Sequence, residues 1–139
     1  MADELRLTCW HTPDRLALKI QLQNLAGVFY NSEAELVQID TGYSEELLIP
    51  QFIFDELNLT FWQRPDSVAG QGITVTGQVI HFIESTLDVV IPDAGIRQRV
   101  VAQTFPQNNR FLIGRAFLRR YKIILDGPGA QTCLLFSRA

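Results

Sequence analysis

The stretch Leu36-Val37-Gln38-Ile39-Asp40-Thr41-Gly42-Tyr43-Ser44 is an apolar run that ends in Asp-Thr-Gly. Such a run reads as a buried strand, and this one delivers a carboxylate to the strand's end. Thr41 sets a hydroxyl beside the carboxylate, and Gly42 permits a tight turn and close backbone approach. Roughly seventy residues later a second apolar pair closes on glycine, in Leu112-Ile113-Gly114-Arg115.

The chain around these motifs has 139 residues, 47% hydrophobic and 19% charged, which predicts one domain over 1–139 with a packed core. Net charge is −3 and no basic tract stands out, so nucleic acid is a poor partner. Arg115, Arg119, Arg120 and Lys122 are diluted by apolar neighbours and read as a solvated face. No apolar run approaches a membrane span, and Met1-Ala2-Asp3-Glu4 lacks the layout of a signal peptide. These features predict a cytoplasmic protein with no membrane partner. Cys9 and Cys133 lie near opposite ends and are expected reduced and partly buried, a terminal disulfide being the alternative.

The apolar patterning is mostly β. Leu5–Trp10, Leu16–Leu22, Glu35–Thr41, Ile73–Glu84, Leu87–Ile91, Gln98–Phe105, Tyr121–Leu125 and Thr132–Phe136 read as strands. Thr12-Pro13-Asp14, Pro92-Asp93-Ala94-Gly95 and Asp126-Gly127-Pro128-Gly129 supply turns between them. Two short helices are expected, one from Pro50 to about Leu57 and one over Arg115–Arg120. Many short strands with regular turn signals indicate a sandwich or barrel.

Asp-Thr-Gly alone is a weak signal, because the tripeptide also makes an ordinary turn. Its context is more specific. Ser44-Glu45-Glu46-Leu47-Leu48-Ile49-Pro50 leads into a short amphipathic helix. Leu112-Ile113-Gly114-Arg115 leads through a second helix into Tyr121-Lys122-Ile123-Ile124-Leu125-Asp126. From Glu35 to Asp126 the chain resembles the retropepsin-like, or retroviral-type, aspartic proteases of bacterial type. The resemblance implies an all-β, closed acid-protease barrel with one or two short helices and half an active site per chain.

The chemistry explains why half a site implies a dimer. Two carboxylates about 3 Å apart cannot both ionise, so they share one proton. The ionised one activates water and the protonated one donates to the carbonyl oxygen. One Asp-Thr-Gly per chain then requires a homodimer with the site on its twofold axis. The resemblance assigns Asp40, Thr41 and Gly42 to the catalytic loop. It assigns Ile113, Gly114 and Arg115 to its support, and Leu112 to the substrate cleft. The chain departs from the viral pattern at Tyr43 and Ser44, where those members carry Ala and an acidic residue. Tyr43 is expected to narrow or reshape the cleft, with Glu45 or Glu46 as substitute partners for Arg115. Ala116 stands where the family often has Asn or Asp.

The resemblance also implies a glycine-containing flap between the motifs. Pro65 to Ile73 lies in the right place, with Ala69, Gly70, Gln71 and Gly72 at a mobile tip whose N–H groups hold substrate. The alternative is an ordinary hairpin turn. The Phe105–Arg110 loop is a cleft wall by the same resemblance, and Arg110 reads as solvated, with substrate contact as the alternative. Cys9 and His11 are too few for a metal site, and neither His11 nor His81 has a nucleophile set in a recognisable turn. No metal or cofactor is expected. The reading is an aspartic endopeptidase acting on peptides or proteins. The alternative is a non-catalytic binding or scaffolding module on the same fold.

Overall fold

The computed structural model describes residues 4–65 and 70–138. The described chain is mostly β. Strands β1 (Glu4–His11), β2 (Ala17–Gln23) and β3 (Glu35–Ile39) come first, followed by the two-residue β4 (Leu47–Leu48). Helix α1 (Gln51–Glu56) and a 3-10 turn at Leu59–Trp62 precede the short strands β5 (Gln71–Ile73) and β6 (Val79–His81). Two long strands, β7 (Ile83–Ile91) and β8 (Ile96–Thr104), lead to β9 (Leu112–Ile113), α2 (Arg115–Leu118), β10 (Lys122–Asp126) and β11 (Gln131–Arg138).

Six strands close a barrel in the order β2-β3-β9-β4-β8-β7. Period-two alternation builds its interior. Leu18, Ile20 and Leu22 of β2, Val37 and Ile39 of β3, and Leu87, Val89 and Ile91 of β7 are buried in one core. Each such side chain contributes about 1.5–3 kcal/mol on burial. Pro50 stands immediately before α1, where its missing N–H costs no helical bond. Ile53 and Phe54 then turn into the core. Phe117 does the same from α2.

A second sheet, β1-β11-β10, joins the two ends of the described chain. The Ala17 N–H donating to Thr132 Oγ1 at 3.4 Å and the Trp10 Nε1–H donating to Asp93 at 2.8 Å tie it to the barrel. Cys9 lies directly opposite Cys133 in the β1–β11 register, and the two form a disulfide. The expectation of reduced thiols is therefore corrected. Antiparallel pairing of the terminal strands brings residues 124 apart in sequence to a Cα separation of 4.1 Å, within bonding reach.

The run Ile73–Glu84, expected as one strand, is broken. A turn at Thr74–Gln78 folds β5 against β6 as a separate two-stranded hairpin. The Gly77 N–H donates to Thr74 O at 2.9 Å, with Gly77 at φ +86°. A glycine inside an apolar run marks such a reversal, and Thr76-Gly77 is that mark. The 3-10 turn at Pro92–Ala94, ending on Gly95, falls where turn chemistry placed a reversal. None of the helices among the described residues is long and apolar enough to cross a membrane.

Candidate active site

Asp40 follows the last residue of β3 and is held by the backbone on both sides. Its N–H donates to Ile113 O at 2.9 Å, and its carbonyl accepts from Tyr43 N–H at 3.1 Å. The Gly42 N–H donates to Asp40 Oδ1 at 2.8 Å, which fixes the carboxylate's orientation. Thr41 and Gly42 are exposed at the turn.

The two sequence motifs meet here. Strand β9 lies between β3 and β4, parallel to β3 and antiparallel to β4. The loop 40–46 joins β3 to β4 and so must arch over the end of β9. Its carbonyls accept from the residues that follow β9: Gly114 N–H donates to Glu46 O at 3.0 Å, Arg115 N–H to Tyr43 O at 2.9 Å and Ala116 N–H to Glu45 O at 3.3 Å. The approach requires glycine at 114. A Cβ there would sit 2.0 Å from Glu45 O and 2.6 Å from Tyr43 Cδ2.

Arg115 enters this lattice through its backbone, and its side chain is exposed. The expected pairing is corrected, because among the described residues Arg115 forms no ion pair with Glu45 or Glu46, and Glu46 is engaged elsewhere. One of its carboxylate oxygens accepts from Val101 N–H at 2.6 Å, and the other pairs with Arg120. The Arg120 guanidinium reaches Glu46 because α2 carries it back toward the loop.

Tyr43 is also corrected. It does not project outward to narrow a cleft. Its ring packs beside Gly114, and its hydroxyl donates to Gln103 Oε1 at 2.6 Å, with Leu47 O at 3.2 Å. The Gln103 amide donates in turn to Glu84 at 2.6 Å, and Glu84 pairs with Arg64 at 3.4 Å. Gln103 and Glu84 are 3% and 5% exposed, so this is a buried polar chain beneath the loop. Burial, with Glu45, Glu84 and Glu46 adding to it, raises the Tyr43 pKa far above the ordinary phenol value. Polar residues inside apolar strand runs, Ile83-Glu84-Ser85 and Ala102-Gln103-Thr104, were the only sequence signal for this chain.

The hairpin differs from the expected flap. Ala69 lies outside the described residues. Gly70, at φ +79°, stands at the hairpin's base, and Gln71 and Gly72 are in β5. The tip is Thr74–Gln78, so the placement of a glycine tip at 70 and 72 is corrected. Gly72 instead leaves room for the Phe82 ring, which would lie 2.9 Å from a Cβ there. Gly70, Gln71, His81 and Phe82 line a cavity of about 690 Å³ closed on its other side by Phe105 and Pro106. Asp40 is not among its lining residues. Within one chain, hairpin and carboxylate border separate spaces.

Leu112 is buried and lines a different cavity, of about 290 Å³, beside β3. Arg110 lines it too, and its guanidinium lies 3.9 Å from Asp40 Oδ2. An arginine on the loop before β9 gives no sequence signal of reaching Asp40, since the parallel β3–β9 pairing makes the approach.

Among known proteins, the chain is similar to an uncharacterized protein of Archaeoglobus fulgidus. The two are 29% identical over 114 residues, which cover 78% of this chain and 84% of that protein. No family model matches the chain, and no solved structure matches it.

Proposed function

We propose that this chain is one half of a retropepsin-like aspartic peptidase that acts as a homodimer. The observation that carries this reading is the crossing of the two motifs. Asp40 sits on a glycine turn braced by Leu112-Ile113-Gly114, with β9 held between the strands that flank the turn. That bracing holds a carboxylate still at a barrel's edge, as preorganised acid–base chemistry requires. Each chain supplies one such aspartate.

In the dimer, Asp40 and the partner's Asp40 share one proton. The ionised carboxylate takes a proton from water, whose oxygen attacks the peptide carbonyl carbon. The protonated carboxyl gives its proton to the carbonyl oxygen, forming a gem-diol. Collapse of the gem-diol breaks the C–N bond: the amine leaves with a proton from the dyad, and a gem-diol hydroxyl returns its proton to the dyad as the carboxylic acid forms. Thr41 links the two loops across the axis. The hairpin over residues 71–81 covers the bound peptide.

The test compares wild type with Asp40→Asn on a mixed peptide library across pH. Wild type should cleave with a bell-shaped pH profile, the acid limb losing the carboxylate and the other limb the shared proton. Asp40→Asn should be folded, dimeric and inactive. Sedimentation at micromolar protein should give twice the chain mass. Equal cleavage by both chains, or an active monomer, would refute the reading. No cleavage by a confirmed wild-type dimer would favour a binding module on this fold, a reading to which the Arg110–Asp40 pair lends support.

A further inference from the structure

Period two sets Leu36, Gln38 and Asp40 on one face of β3, opposite the buried Val37 and Ile39. Leu36 is half exposed, and with Gln38 it floors the cavity of about 290 Å³. Two arginines wall it. Arg110 comes from the β9 side and reaches to 3.9 Å from Asp40 Oδ2, its side chain 63% exposed. Arg15 comes from the β2 side. The β2–β3 register pairs Ala17 with Gln38, Ile39 N–H donates to Leu16 O, and Arg15, in the bend just before Leu16, lines the cavity. Arg15 makes no ion pair among the described residues. Glu35 is the cavity's acidic residue, but it starts β3, about 16 Å of strand away from Asp40.

We propose that Arg15 and Arg110 form a subsite for a carboxylate of the peptide substrate in the cavity beside β3, from which Arg110 reaches toward Asp40. The inference rests on the peptidase reading and adds the substrate class to it. Two guanidinium groups on a chain of net charge −3 concentrate positive charge at one place. A guanidinium presents a planar fork of N–H donors that fits a carboxylate. The Asp40 contact at 3.9 Å is too long for a hydrogen bond, so the Arg110 donors remain open to a ligand. The carboxylate comes either from an Asp or Glu side chain or from a chain end. The first would make the enzyme select acidic sequences, and the second would direct it to C-terminal segments.

Binding separates this proposal from catalysis. All chains tested carry Asp40→Asn, so no peptide is consumed. Three labelled peptides differ only in charge: internal Glu with an amidated end, internal Gln with an amidated end, and internal Gln with a free C-terminal carboxylate. Fluorescence anisotropy at low salt should show one carboxylate peptide binding about tenfold tighter than the neutral one. The preference should shrink as salt rises. Arg110→Gln should remove most of it, Arg15→Gln part of it, and the double variant all of it, with melting temperatures unchanged because both side chains are exposed. Equal binding of the three peptides, no binding of any, or a preference that survives the double variant would overturn the subsite. Failure of wild type to cleave peptides would sink the peptidase reading, while a charge preference in this assay would still stand.

Discussion

The Asp40–Glu46 loop and the β5–β6 hairpin border separate spaces, and the fold treats them in opposite ways. The Asp40–Glu46 loop is built into the barrel. Its backbone exchanges bonds with residues 113–116, Glu46 reaches Val101, and Tyr43 reaches Gln103. The β5–β6 hairpin is bonded mainly to itself, and Ile73 and Val75 face outward. Ile73 is 76% exposed and Val75 fully so. Its ties to the barrel include the Phe82–Phe105 ring contact at 6.0 Å. Local stability follows such ties. The loop that holds the carboxylate should open only when the barrel does, and the hairpin should open on its own.

The strongest way to break this comparison is at Gly114. Ala would place a methyl 2.0 Å from Glu45 O, and a backbone oxygen in this lattice has nowhere to go. Gly114→Ala should cost about 3 kcal/mol in urea denaturation. A cost near zero would mean that the loop is free to lift.

Tyr43→Phe should cost about 2 kcal/mol, because it removes the buried hydrogen bond from the Tyr43 hydroxyl to Gln103 Oε1. The same variant sharpens the pH behaviour. Burial raises the folded-state pKa of Tyr43, so its stabilising effect is complete below the unfolded phenol value, about 10. Above that pH the unfolded chain releases a proton that the folded chain keeps, and stability falls. Tyr43→Phe should lose stability less steeply between about pH 10 and 11. Tyr30 and Tyr121 are raised as well and leave a residual slope. Equal slopes in the two chains would show that Tyr43 is hydrated.

The hairpin should respond locally. Gly77 has φ +86°, and a Cβ added there would meet nothing within 4 Å, so Gly77→Ala carries a conformational cost of about 1 kcal/mol with no clash. That cost should appear as faster amide exchange in residues 71–81, with the global urea midpoint almost unmoved. A matching fall in global stability would make the hairpin part of the barrel's cooperative unit. Val75→Ser should change stability by less than about 0.5 kcal/mol, because the side chain is fully exposed. A larger loss in the isolated chain would show Val75 to be covered.

Much of the fold was legible one residue at a time. Alternation along β2 and β3, the turns at Pro92–Gly95 and Asp126–Gly129, and Pro50 ahead of α1 depend on neighbours within a few positions. The same holds for the carboxylate at the end of β3 and the glycine beside it. The two-residue strands β4 and β9 were not legible as strands. Two residues show no period, and they are strands only because β9 lies between β3 and β4.

By itself, the sequence determined most of the segments that extend and the side chains that seek the core, and it marked the reversals at Pro92–Gly95 and Asp126–Gly129 but not the one at Thr74–Gln78. Those are matters of backbone restriction and local hydrophobic pattern. Only the tertiary structure decided the pairings across long separations. Cys9 meets Cys133 through the register of the terminal strands, Tyr43 turns inward to Gln103, Glu46 pairs with Arg120 rather than Arg115, and Arg110 reaches Asp40. A side chain's partner is set by strand register and order, and a shift of one residue would send Cys9, Cys133 and Gln103 to the other face.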